Sequence, residues 1–107
     1  MTWEPDARIR RDMEETFRAF RTRSTDSRYE FDGSKGSVVY ERWGLHGGTG
    51  WPDERTELYR ICKNVDGEYF LYMHAFRHAP YLVHLTRERA MNALRIDDGA
   101  YQREFGE

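Results

Sequence analysis

The sequence predicts a single α+β domain over residues 1–107, in the order N-terminal helix, three- to four-stranded antiparallel sheet, C-terminal helix. Three observations carry this. Apolar residues near the N-terminus recur at helical spacing. The middle of the chain holds β-branched and aromatic runs, two of them separated by an Asp-Gly turn. A capped helical segment follows the last of these runs. A chain of 107 residues has room for one hydrophobic core and no second domain.

In residues 5–22, Ile9, Met13, Phe17 and Phe20 step by four, four and three onto one stripe of an amphipathic helix. Pro5 suits its first turn. Asp6, Asp12, Glu14 and Glu15 favour its N-terminal half, and Arg18, Arg21 and Arg23 its C-terminal end. Residues 24–37 carry turn chemistry, with Tyr29-Glu30-Phe31 as a short strand inside it. Val38–Trp43 reads as a strand. Gly44–Arg55 reads as a long loop whose glycines and Trp51-Pro52 exclude regular structure.

Thr56–Lys63 and Glu68–Phe76 form a hairpin closed by Asn64-Val65-Asp66-Gly67, because Asp-Gly supplies the positive φ a tight turn needs. Alternation in its second half sets Tyr69, Leu71, Met73 and Ala75 on one face and Phe70, Tyr72, His74 and Phe76 on the other. Both faces are apolar, as in a central strand. Tyr81–Leu85 returns as a further strand. Thr86 is a fitting N-cap for a helix over 87–95, which Asp97-Asp98-Gly99 ends, and Ala100–Phe105 forms a last helical turn. The helices are expected on one face of the sheet.

Composition excludes several classes. Net charge is −2, with 17 basic and 19 acidic residues, so no large basic field draws the chain to a polyanion. Ile, Leu, Val and Phe make up just under a fifth of the chain, but seven Tyr and three Trp supply the missing core volume. Mean hydropathy is −0.94 and no apolar run approaches a membrane span. The N-terminus has neither the basic nor the apolar region of a secretory signal. Cys62 is the only cysteine, which excludes an intramolecular disulfide and a cysteine-based zinc site and fits a cytoplasmic setting. Only Lys35 and Lys63 among the basic residues are lysine, a bias that suits anion recognition but also follows from a high-GC genome.

No motif of strong, specific spacing appears. His46, His74, His78 and His84 are the candidates for proton transfer or metal binding. His74 and His78 are too far apart along a strand for one ion, and a His74/His84 cross-strand pair would lack a third ligand, so neither a metal nor a cofactor is expected. The loop Gly44–Gly50 lacks the Lys and the helix of a phosphate-binding loop. Cys62 reads as buried and inert, and Glu14-Glu15 and Asp97-Asp98 as helix-end charges. Arg42, Arg60 and Arg77 lie on or beside strands that carry Tyr40, Tyr59, Tyr72 and Tyr81. That combination serves core packing, a protein interface, or the stacking of single-stranded nucleic acid.

Glu57-Leu58-Tyr59-Arg60, Gly67-Glu68-Tyr69-Phe70-Leu71-Tyr72 and Leu85-Thr86-Arg87-Glu88-Arg89-Ala90 together resemble a pattern of small uncharacterised proteins of bacteria and their mobile elements. The resemblance covers about a third of the chain and implies a compact accessory protein. His74-Ala75-Phe76-Arg77-His78 also resembles the strand that leads to the C-terminal helix of RelE/ParE-type toxins. That resemblance implies an mRNA endonuclease with Arg60, Arg77 and His78 as its catalytic set. The chain departs from those toxins in its missing first strand, its scarcity of lysine and its negative net charge.

The leading expectation is a small cytosolic interaction protein of phage or mobile-element type. It would regulate or inhibit a macromolecular partner, a protein in the first instance, through Trp43, Trp51, Arg42, Arg77, Tyr72 and Tyr81. The alternatives are the endonuclease and a nucleic-acid-binding module. A homodimer through the Val38–Trp43 edge is also open.

Overall fold

The computed structural model describes residues 4–22, 29–47 and 50–106. Helix α1 spans Ala7–Ala19. Asp6 is its N-cap, its carboxylate accepting from the Arg8 backbone N–H at 2.8 Å, so Pro5 lies before the helix and the first turn holds no acid. The helix stops short of the expected residue 22 because Phe20 turns extended. Arg21–Thr22 (β1) then pairs with Phe31–Asp32 (β2) as a two-stranded ribbon. Gly33 packs this ribbon on the helix end. Its N–H donates to the Phe20 carbonyl at 2.9 Å, and a Cβ there would lie 1.7 Å from the Phe17 carbonyl oxygen.

The main sheet is antiparallel and runs in sequence order: β3 (Ser37–Leu45), β4 (Thr56–Lys63), β5 (Tyr69–Ala75) and β6 (Tyr81–Leu85). β3 continues through Gly44 and Leu45, and Pro52–Arg55 makes a 3₁₀ turn, so the segment read as loop carries regular structure at both ends. Pro52 lacks an N–H that the first turn of a helix would not use. The Thr56 hydroxyl closes this turn by donating to the Asp53 carbonyl at 2.9 Å.

The β4–β5 hairpin is closed as the sequence predicts, with Gly67 at φ 83°. Asn64 organises it. Its side-chain oxygen accepts from the N–H groups of Asp66 and Glu68, and its amide donates to the Glu30 carbonyl at 3.0 Å. Thr86 caps α2 (Arg87–Leu94) by accepting from the Arg89 N–H. Asp97 does more than end α2: its carboxylate accepts from the Ala100 N–H, so α3 runs over Asp98–Phe105 rather than a single turn.

The helices lie on both faces of the sheet, not on one. Met13 and Phe17 of α1 pack with Phe31, Leu58, Cys62, Phe70 and Tyr72. Ala90, Leu94 and Ala100 of α2 and α3 pack on the other side with Ile61, Tyr69 and Leu85. The reason is the alternation in β4 and β5, where neighbouring residues on opposite faces are alike apolar and each face needs a cover. Each of these large side chains contributes about 1.5–3 kcal/mol on full burial.

Candidate functional site

Register decides which predicted residues meet. Arg42 pairs with Tyr59, Tyr59 with Met73 and Met73 with Tyr81, which forms one line across all four strands. This line lies on the face that carries α2 and α3, toward the end of the sheet where β3 and β5 finish. The helices cover the other end, where Tyr69 meets Phe105 with ring centroids 5.4 Å apart and its hydroxyl donates to Glu104. Met73 and Tyr81 belong to neither apolar cluster, and Tyr81 is 60% exposed. The Arg42 guanidinium lies 4.9 Å from the Tyr59 ring centre, and Tyr40 meets the same ring edge-on. Burial raises the Tyr59 phenol pKa, and Arg42 opposes that shift. The result is a partly open strip: the exposed Arg42 cation stacks on the half-buried Tyr59 ring, which packs at the margin of the α2–α3 cluster, and Met73 and exposed Tyr81 continue the line.

At the same end, Trp51 precedes the 3₁₀ turn and is 78% exposed. Arg77, at φ 68° after β5, lies over the Phe76 ring and reaches Glu54 at 3.4 Å, an exposed ion pair of small worth. Thus Arg42, Tyr81, Trp51 and Arg77 are all exposed at or near one end of the molecule, with Arg77 over Phe76, a ring that packs with the α1 cluster on the opposite face. Met73 is the member of the line that residue-type reasoning missed. The hairpin register alone places it, since a turn centred on Asp66 sets Tyr59 against Met73.

Three other expected residues lie elsewhere. Trp43 is on the opposite face, packed against the α1 cluster under the Arg10 guanidinium, because it is one residue on from Arg42 in an extended strand. Tyr72 is fully buried and set edge-on to Phe17 and Phe20, so it offers a partner no surface. Burial pushes its phenol pKa up.

Arg60 is 4% exposed under α1. Its Nε donates to Glu41 at 2.8 Å and its Nη2 to both Glu14 and Glu41, with Phe17 4.6 Å from the guanidinium carbon. Burial disfavours its charge, but the two carboxylates outweigh that and raise its pKa. Glu14 is therefore an ion-pair partner across the core, not a helix-end charge. Arg77 and His78 are exposed in the turn beyond β5, while Arg60 faces Tyr72 roughly 10 Å inside that strand's end. Arg60, Arg77 and His78 do not converge.

The histidines are also dispersed. His74 is buried opposite Leu58, and burial lowers its pKa. The cross-strand partner of His84 is Phe70, not His74. His84 stacks on Tyr29 at 4.1 Å and meets Glu68 at 3.0 Å. His46 and His78 meet edge-on, 6.2 Å apart. Among the described residues, no three His, Cys, Asp or Glu side chains gather as a metal site. Cys62 is fully buried, its thiol pKa pushed up to about 12 by burial, so it holds no thiolate for nucleophilic work. Part of the glycine loop, residues 48 and 49, lies outside the described residues.

A cleft of about 470 Å³ opens at the far end, between the β1–β2 ribbon and the hairpin turn. It contains none of the predicted site residues. Arg21 and Asp32 on its wall neutralise each other at 3.1 Å. Among the described residues no helix is long and apolar enough to cross a membrane. Compared with known protein families, with curated proteins and with solved structures, the chain finds no match in any of the three.

Proposed function

We propose that this α+β protein is a cytoplasmic interaction module that regulates or inhibits a protein partner. It binds through the open strip Arg42–Tyr59–Met73–Tyr81, flanked by Trp51 and Arg77. The observation that carries the reading is the strip itself: the register aligns Arg42, Tyr59, Met73 and Tyr81 across four strands, at the end of the sheet away from the Tyr69–Phe105 contact, and Tyr81 is 60% exposed. Tyr, Trp and Arg are the residue types that concentrate binding energy in protein interfaces, and Met adapts to a partner's contour. A net charge of −2 favours a protein over a nucleic acid as the occupant.

The test is affinity capture from cells of origin with the wild type and with an Arg42→Glu/Tyr81→Ala variant, quantifying each co-purifying protein. Both positions are exposed, so the variant is expected to keep its melting temperature and lose the partner at least tenfold. Equal recovery by the folded variant removes the strip from the interface.

A further inference from the structure

The two edges of the sheet are unlike. β3 carries a bulge between Val38 and Tyr40 and, at mid-strand, the adjacent charges Glu41 and Arg42. Antiparallel self-pairing centred on either residue sets like charges opposite one another, and a bulge twists the edge, so β3 is guarded. β6 has none of these devices. Tyr81-Leu82-Val83-His84-Leu85 holds no Lys, Arg, Asp or Glu, and His84 is already turned to Glu68. Among the described residues, no strand pairs with its outer edge, and Tyr29 meets β6 through the His84 ring.

We propose that the β6 edge is a self-association site whose occupant is β6 of a second copy of this chain. The pairing is antiparallel about a two-fold axis through Val83, which continues the two sheets into one of eight strands. Val83 then faces Val83 of the second copy, Tyr81 faces Leu85, and Leu82 faces His84. Each opposed pair points to the same side of the sheet, as antiparallel pairing requires. No charge meets a like charge. The register is bounded at both ends: Pro80 has no N–H to donate before the strand, and α2 begins at Arg87 after it. Centring on Val83 pairs all five residues. A slip of two leaves three pairs, and a slip of one turns apolar side chains to the wrong face. The pairing also sets a neighbour beside Tyr81, the most exposed residue of the strand.

A ladder this short lies at the small end of specific interfaces, so dissociation is expected on the order of 10–100 μM. Sedimentation of the unmodified chain from about 1 μM to about 1 mM tests the association. The expected mass rises from 12.8 kDa toward twice that value, and a constant monomer across the range overturns the proposal. Register is tested by single cysteines under mild oxidation, with Cys62 buried out of reach. Val83→Cys is expected to cross-link, since the paired Cα atoms lie roughly 5 Å apart. Tyr81→Cys is not, because its own counterpart is four residues away, roughly 13 Å. Equal cross-linking at both positions, or none at Val83, refutes this register. The sedimentation result needs no variant to fold. Tyr81 belongs to both sites, so Arg42 on β3 distinguishes them: Arg42→Glu leaves the mass curve unchanged if both readings are right.

Discussion

Replacing Arg60 by alanine removes the cation that holds α1 to the sheet. Its guanidinium is bound by Glu14 from the helix and Glu41 from β3, and it stacks on Phe17. Breaking a buried ion pair from one side costs about 3–5 kcal/mol, since the remaining charge loses its partner. Here the carboxylates keep 27% and 32% of their side-chain exposure and can turn to water, which lowers the cost. Loss of the stacked cation adds about 1 kcal/mol. The expected destabilisation is about 3 kcal/mol, a drop of roughly 2 M in urea midpoint for a chain of this size. Urea unfolding followed by far-ultraviolet circular dichroism measures it. Arg60→Met combined with Glu14→Gln and Glu41→Gln keeps the packing without stranded charge and is expected to recover most of the loss. A midpoint unchanged in Arg60→Ala refutes the structural role and returns Arg60 to the catalytic set that the toxin resemblance implies.

His74 titrates below its ordinary 6.5 in the folded state because burial disfavours the imidazolium. Near pH 6 the unfolded chain binds more protons than the folded one, so stability rises with pH there. The His74 contribution is complete above pH 6.5 and is lost as pH falls from 6.5 through the lowered folded value. His74→Gln is expected to flatten the stability profile between pH 7 and 5, and an unchanged slope refutes the assignment. Gly33→Ala places a Cβ on the Phe17 carbonyl and is expected to cost more than about 2 kcal/mol, read as a lower melting temperature. Trp51→Ala with Arg77→Ala changes only exposed side chains, so stability is expected to move by less than about 0.5 kcal/mol while partner recovery falls. A large loss of stability shows instead that these residues hold the loop end together.

The α+β class, the β4–β5 hairpin and the Thr86 cap were legible because each rests on a local rule: strand alternation, an Asp-Gly turn, a hydroxyl before a helix. What was not legible depends on partners distant in sequence. Glu14 reads as a helix charge until Arg60, 46 residues on, is seen beneath it. Tyr72 and Tyr59 look alike in sequence, yet alternation sends one beneath α1 and leaves the other at the open strip. Trp43 and Arg42 part for the same reason. Alternation puts apolar residues on both faces of β5, and each face takes its own helical cover, which overturns the expectation of helices on one side. The strip itself needs the register of all four strands, and the sequence marks a tight turn only between β4 and β5.

The most direct test of the central claim is to capture the tagged protein gently from its own cells. The eluate is then passed through size exclusion with light scattering, recording the 260/280 nm absorbance ratio across the peak. A discrete protein complex with a protein-like ratio that persists at high salt is the expected result, with the Arg42→Glu/Tyr81→Ala variant eluting without the partner. Material rich in nucleic acid that leaves at high salt contradicts it, and so does a complex that the variant retains in full.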